Sequence, residues 1–197
     1  MSDTRKMVFF SLLVALGTTL HVVEGMIPNP FPIPGVKLGL ANVVTFVAVY
    51  LYGLRSGLAV GVLRVILGSL VGGVFLSPAF LLSMSGSVVS TLIMAFLLRF
   101  APCFSIRGVS VAGAVSHNAG QLLTAALIMR SCSIFYYLAF LLPAALVTGM
   151  ITGHLLDMVL GRLERSGVVQ IYAGGKGGSD NGEYVCRGYI RRDRKSV

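Results

Sequence analysis

Apolar residues dominate six stretches of the chain: Met7 to Val23, Leu38 to Leu54, Ser56 to Leu76, Pro78 to Arg99, Val109 to Met129 and Ile134 to Leu160. A helix needs about 20 residues, at roughly 1.5 Å each, to cross the hydrocarbon of a bilayer. The pattern therefore predicts an all-α integral membrane protein, a bundle of six transmembrane helices. The second stretch is the shortest, and only the turn Gly53 to Ser56 separates it from the third. After Arg165 the pattern stops. Ala173 to Gly182 reads AGGKGGSDNG, and a basic cluster fills Arg187 to Lys195. The chain thus divides into a six-helix membrane domain, residues 1–165, and a flexible basic cytoplasmic tail, residues 166–197, that either attracts anionic lipid headgroups or is simply solvated.

Composition strengthens the membrane reading. The chain is 55% hydrophobic and 12% charged, with a mean hydropathy of +0.86, outside the range of soluble domains. No small-residue cleavage site closes the first stretch, which leads into another membrane segment, so it is read as a retained helix and not as a signal peptide. The net charge of +9 is accounted for by topology. Basic residues favour the cytoplasmic side, and with the N-terminus inside, Arg5, Lys6, Arg55, Arg99, Arg107, Arg162, Arg165 and the basic tail are all cytoplasmic. Only Lys37 and Arg130 fall outside. The expected location is the plasma membrane, with many passes and both termini cytoplasmic. No folded basic domain that interleaves aromatics is present, so nucleic acid is not an expected partner.

Arg64 is the one basic residue that topology does not explain. At 3.6 residues per turn it shares a helical stripe with Gly57, Gly61, Gly68 and Gly72, where neighbouring backbones approach most closely. An arginine at the centre of a membrane helix costs roughly 2.5–3.5 kcal/mol, so it faces the bundle interior or a wet cavity. Two roles remain open: recognising a ligand, or pairing with a carbonyl or carboxylate to lock the bundle.

Three other polar sets lie within the spans. In the fifth, SHNAGQ puts His117, Gln121 and Thr124 on one stripe with Asn118 about 100° around, a strip that either binds a ligand or glues helices together. The first span ends with Gly17, His21 and Glu24 on one face, which places Glu24 at the outer mouth, as counter-ion to Arg64 or Lys37, as a substrate contact, or merely touching water. Ser83, Ser87 and Ser90 with Gly86 read as a packing strip in the fourth span. Between the first two spans, EGMIPNPFPIPGVK carries Pro28, Pro30, Pro32 and Pro34, a stiff apolar segment read as a lid over a cavity, beside Lys37 and Asn42.

The runs PGVKLGLANVVT, RVILGSLVGG with FLSPAFLLSMSG, and SHNAGQL resemble the bacterial membrane family known as heptaprenyl diphosphate synthase component I, also called the Gx transporter family. The resemblance covers about residues 7–165. That family is similar in its six-helix layout and long first external loop to the substrate-binding S components of energy-coupling-factor (ECF) transporters. This likeness implies a small molecule held under the first loop, and docking through helix one onto a coupling subunit driven by ATPases. Ser11, Ala15 and Thr19 stand at the corresponding spacing for such a partner interface.

The two family names imply different chemistry. Prenyl-chain synthesis holds Mg²⁺ on a diphosphate through clustered carboxylates, whereas this chain has seven acidic residues and no adjacent pair. Cys103, Cys132 and Cys186 form no C-x-x-C, His21, His117 and His154 form no zinc motif, and GGKGGS lacks the spacing of a phosphate loop. No metal or cofactor is expected, and the chain is read as non-catalytic. The expectation is a membrane-embedded component for uptake of a small anionic or amphipathic metabolite. Arg64, His117, Asn118 and Gln121 would bind that substrate, with Glu24, Lys37 and Asn42 at the rim. The alternative is a non-catalytic subunit beside a prenyl synthase catalytic chain.

Overall fold

The computed structural model describes residues 3–26, 40–101 and 104–165. The Pro-rich segment with Lys37, the tail after Arg165, and Cys103 and Cys186 lie outside the described residues. Among the described residues six α-helices follow one another: α1 (Asp3–Met26), α2 (Leu40–Tyr52), α3 (Leu54–Val71), α4 (Pro78–Phe100), α5 (Ile106–Met129) and α6 (Leu138–Arg165). A short 3-10 segment, Cys132–Tyr137, precedes α6, so the sixth helix begins later than the apolar run. No strand occurs among the described residues.

Local chemistry sets the ends. Ser77 caps α4 by accepting from the Phe80 N–H, with Pro78 in the first turn, and Ser105 caps α5 by accepting from the Gly108 N–H at 3.1 Å. The third span, expected to reach Leu76, stops at Val71. Gly72 caps it, and Gly73 turns the chain with φ at +66°. Gly72 is therefore an exposed cap and not part of the packed stripe.

Four helices, α1, α3, α4 and α6, are long and apolar enough to cross a membrane. α5 has the length but carries the polar SHNAGQ run. α2 has 13 residues, about 20 Å at 1.5 Å per residue, well short of a hydrocarbon core of about 30 Å. Its surroundings account for this. α2 packs against every other α-helix, and from Val44 to Leu51 it is buried, with Phe46 and Ala48 at 0% exposure. It is the central rod of the bundle.

Gly53 makes the turn between α2 and α3 in a single residue, at φ 83°, a conformation that favours glycine. Asn42 and Arg64 stand eleven residues before and after it and are hydrogen-bonded, so the two helices fold back as a tight hairpin. Val49 and Gly57, four residues either side, touch so closely that any Cβ at Gly57 would collide with the valine. α1 and α3 run parallel, since Gly17 meets Arg64 and, one turn on, His21 meets Gly68. Glycines also admit the neighbouring helix at Gly86, Gly113 and Gly120 between α4 and α5, and at Gly149 and Gly153 between α5 and α6. Close approach through small residues is the main source of helix association in lipid, where no hydrophobic drive exists between helices.

Candidate functional site

Within α3 the buried residues are Gly57, Val60, Gly61, Arg64, Val65, Gly68 and Ser69, so the arginine points with the glycines into the bundle. Arg64 is 2% exposed. Its Nη2 donates to Asn42 Oδ1 at 2.7 Å and to Ser87 Oγ at 3.3 Å. The Ser87 hydroxyl in turn donates to the Gly61 carbonyl at 3.3 Å. Gly61 is what permits that bond, because a Cβ there would stand 2.9 Å from Ser87 Oγ. Sequence and geometry thus interlock: one glycine on α3 admits the α4 serine that holds the α3 arginine one turn away.

Around this guanidinium lies a polar cavity lined by His21 and Glu24 of α1, Asn42 of α2, Arg64 of α3, Ser83 of α4 and His117 of α5. Five helices contribute. His21 and Glu24 are each 8% exposed, and both share the cavity lining with the guanidinium. Arg64 Nε, also buried, makes no hydrogen bond among the described residues. The cavity measures about 10 Å³, roughly the room one water needs.

The expected site residues separate accordingly. Arg64, His117, Glu24 and Asn42 come together at the cavity. Asn118, a hundred degrees around α5, is buried against α6 instead, its Nδ2 donating to the Leu141 carbonyl at 3.4 Å. Gln121 lies one turn beyond His117 and packs on Gly86 of α4. Lys37 is outside the described residues. Ser11, Ala15 and Thr19 lie on an exposed face of α1 together with Leu12 and Leu16. Glu24, two residues before the end of α1, is buried.

Three lining or holding residues are additions: His21, Ser83 and Ser87. The two serines belong to the strip read as packing, and both are buried, but Ser87 Oγ accepts from Arg64 and Ser83 lines the cavity. Their i, i+4 spacing opposite an arginine stripe is the signal that carries this. Among the described residues no group of three or more His, Cys, Asp or Glu is placed to hold a metal.

A family model described as heptaprenyl diphosphate synthase component I matches residues 13–159. This range runs from the middle of α1 to the last turns of α6 and includes every residue that lines the cavity. No curated protein and no solved structure matches the chain.

Proposed function

The chain belongs to the heptaprenyl diphosphate synthase component I family, and from that premise we propose that it is the membrane-embedded, non-catalytic subunit of a prenyl diphosphate synthase. The family match is the observation that carries this reading. Chemistry supports the division of labour. Elongating a prenyl diphosphate calls for carboxylates clustered on Mg²⁺, and the seven acidic residues here include no adjacent pair, so the catalytic step falls to a partner chain. The product explains why a membrane subunit is useful. A heptaprenyl tail of about 35 carbons gains of the order of 0.8 kcal/mol for each CH₂ it withdraws from water. A subunit in the bilayer holds the catalytic chain where that tail partitions.

The six α-helices of residues 1–165 are proposed to sit in the plasma membrane with both termini cytoplasmic. On that orientation Arg55, Arg99, Arg107, Arg162 and Arg165, all exposed, ring the cytoplasmic end. A partner chain and an anionic diphosphate headgroup meet this ring first, and the basic tail, residues 166–197, extends it. The test is co-expression with an Asp-rich prenyl synthase chain, followed by purification and product analysis in lipid vesicles. Expected are a stable complex and a seven-unit product that needs both chains. A catalytic chain that neither binds this protein nor changes its product or its rate on adding it would refute the proposal.

One observation favours a second reading, an uptake component like the ECF S components: the buried Arg64, drawn into a polar cavity with His117, Asn42 and Glu24. Arg64 would recognise an anionic metabolite, with Asn118 and Gln121 reached once the helices part, Lys37 at the rim, and the exposed Ser11, Ala15, Thr19 face of α1 meeting a coupling subunit. At about 10 Å³ the cavity takes a metabolite only after such a parting. Native mass spectrometry of the purified protein separates the two: a small anionic metabolite retained by the wild type and lost in Arg64→Gln supports uptake, and its absence from both excludes it.

A further inference from the structure

A second cavity, with a mixed polar and apolar lining, also includes Asn42. Its polar lining is Asn42 of α2, Ser110 of α5 and Thr152 of α6, set among Phe46, Met94 and Leu156. It too measures about 10 Å³, enough for about one water given two or more polar partners. The Ser110 and Thr152 hydroxyls stand 3.0 Å apart and are 6% and 4% exposed. A third hydroxyl, Ser90 Oγ, is buried without a hydrogen-bond partner among the described residues. It lies 3.6 Å from the place of a Cβ on Gly113, which forms part of the cavity wall.

Asn42 belongs to both linings. The first cavity reaches toward one end of the bundle, where Glu24 stands two residues before the exposed Met26 that closes α1. The second reaches toward the other end, where Ser110 stands one turn after Arg107, an exposed residue at the start of α5. The residue common to both linings is this asparagine on the central helix, held in place by Arg64 Nη2 at 2.7 Å.

We infer that the two cavities are halves of a single hydrated passage for protons, closed where Asn42 stands between them. The size of each half selects the cargo, since room for a single water excludes hydrated metal ions and organic solutes. The chemistry of the walls suits it. Hydroxyls and imidazoles both donate and accept, and an imidazole exchanges its proton near neutral pH. The titratable groups facing the first half are His21 and Glu24 from α1, Arg64 from α3 and His117 from α5, while the lining of the second half contains none. Arg64 closes the passage in two ways, by fixing Asn42 and by setting a positive charge in the path, a device that repels protons in other pores.

The test uses the full chain in liposomes with an entrapped pH dye, under a potassium diffusion potential. Wild type should leak protons as slowly as protein-free liposomes. Asn42→Ala should leak about tenfold faster, and Asn42→Ala with Arg64→Gln faster still, because both closures are gone. Adding Ser110→Ala and Thr152→Val to Asn42→Ala should return the leak to the wild-type level, which ties the route to the second cavity. Asn42→Ser, a gentler change, serves if the alanine variant does not elute as a folded species. Leaks within about twofold of wild type for both the folded serine variant and any folded alanine variant would overturn the passage. An Asn42 leak untouched by the Ser110 and Thr152 changes would overturn its route.

Discussion

Gly68→Ala is the sharpest probe of how the Arg64 cavity is assembled. A Cβ on residue 68 would lie 2.5 Å from His21 Cδ2, 3.2 Å from Cγ and 3.4 Å from Cβ. The first two distances matter most, because the buried imidazole must swing away from the new methyl while its own Cβ is only at ordinary contact distance. Overpacking of this kind costs about 1–3 kcal/mol, against a gain of up to about 1 kcal/mol from replacing glycine by alanine inside a helix. In wild type the net should be a loss of up to about 2 kcal/mol. In a His21→Ala background the obstruction is gone, and the same substitution should stabilise by up to about 1 kcal/mol. The prediction is therefore a coupling of about 1–3 kcal/mol between residues 21 and 68. With no tryptophan in the chain, the assay is reversible unfolding in mixed micelles followed by circular dichroism on all four corners of the cycle. Additivity within about 0.5 kcal/mol would mean that α1 and α3 do not meet through His21 and Gly68, and would undo the parallel placement of α1 that brings Glu24 and His21 to the arginine.

Ser87→Ala should cost about 1–3 kcal/mol, because it removes two hydrogen bonds, one to the Gly61 carbonyl and one from Arg64, whereas Ser90→Ala at equal burial should cost little, its hydroxyl having no partner among the described residues; the two melting curves compared side by side decide it, and equal losses would contradict the hydrogen-bond assignment. Gly149→Ala should destabilise, since its Cβ would sit 2.7 Å from the Val111 Cα, while Gly161→Ala, which meets nothing within 4 Å, should be neutral or stabilising. Thermal unfolding of both in one detergent checks the pair, and a Gly149→Ala protein as stable as wild type would refute the close α5–α6 packing. Asp157→Asn removes the ion pair with Arg107, whose side chain is 59% exposed, so the loss should stay within about 1 kcal/mol and fade as salt rises.

Much of the helical frame was legible in the chain. Length and apolarity mark α1 and α4 closely, and the stripe through Gly57, Gly61 and Gly68 puts Arg64 on the buried side of its helix. What periodicity does not carry is which helix lies at the centre. α2 is the most apolar of the set, and in lipid, unlike water, apolarity does not distinguish an interior helix from a peripheral one. The candidate site divided for a similar reason. His117 and Asn118 are neighbours in sequence, yet their side chains are 100° apart on α5, so one faces the cavity and the other the Leu141 carbonyl. Ser87 escaped because a serine on a small-residue strip looks the same whether it only packs or also holds a guanidinium across the interface.

The central place of α2 also has a consequence for the order in which the protein is made. Synthesis delivers α2 second, but its final surroundings are other helices, and the Leu156 and Leu160 side chains that join its core belong to α6, the last to emerge. On the proposed membrane placement, α2 and α3 would enter the bilayer as a pair joined at Gly53, and α2, too short to span it, would gain its full packing only when α6 closes over it. Chains cut before α6 expose that mismatch, and they are the forms that a membrane quality-control protease would find.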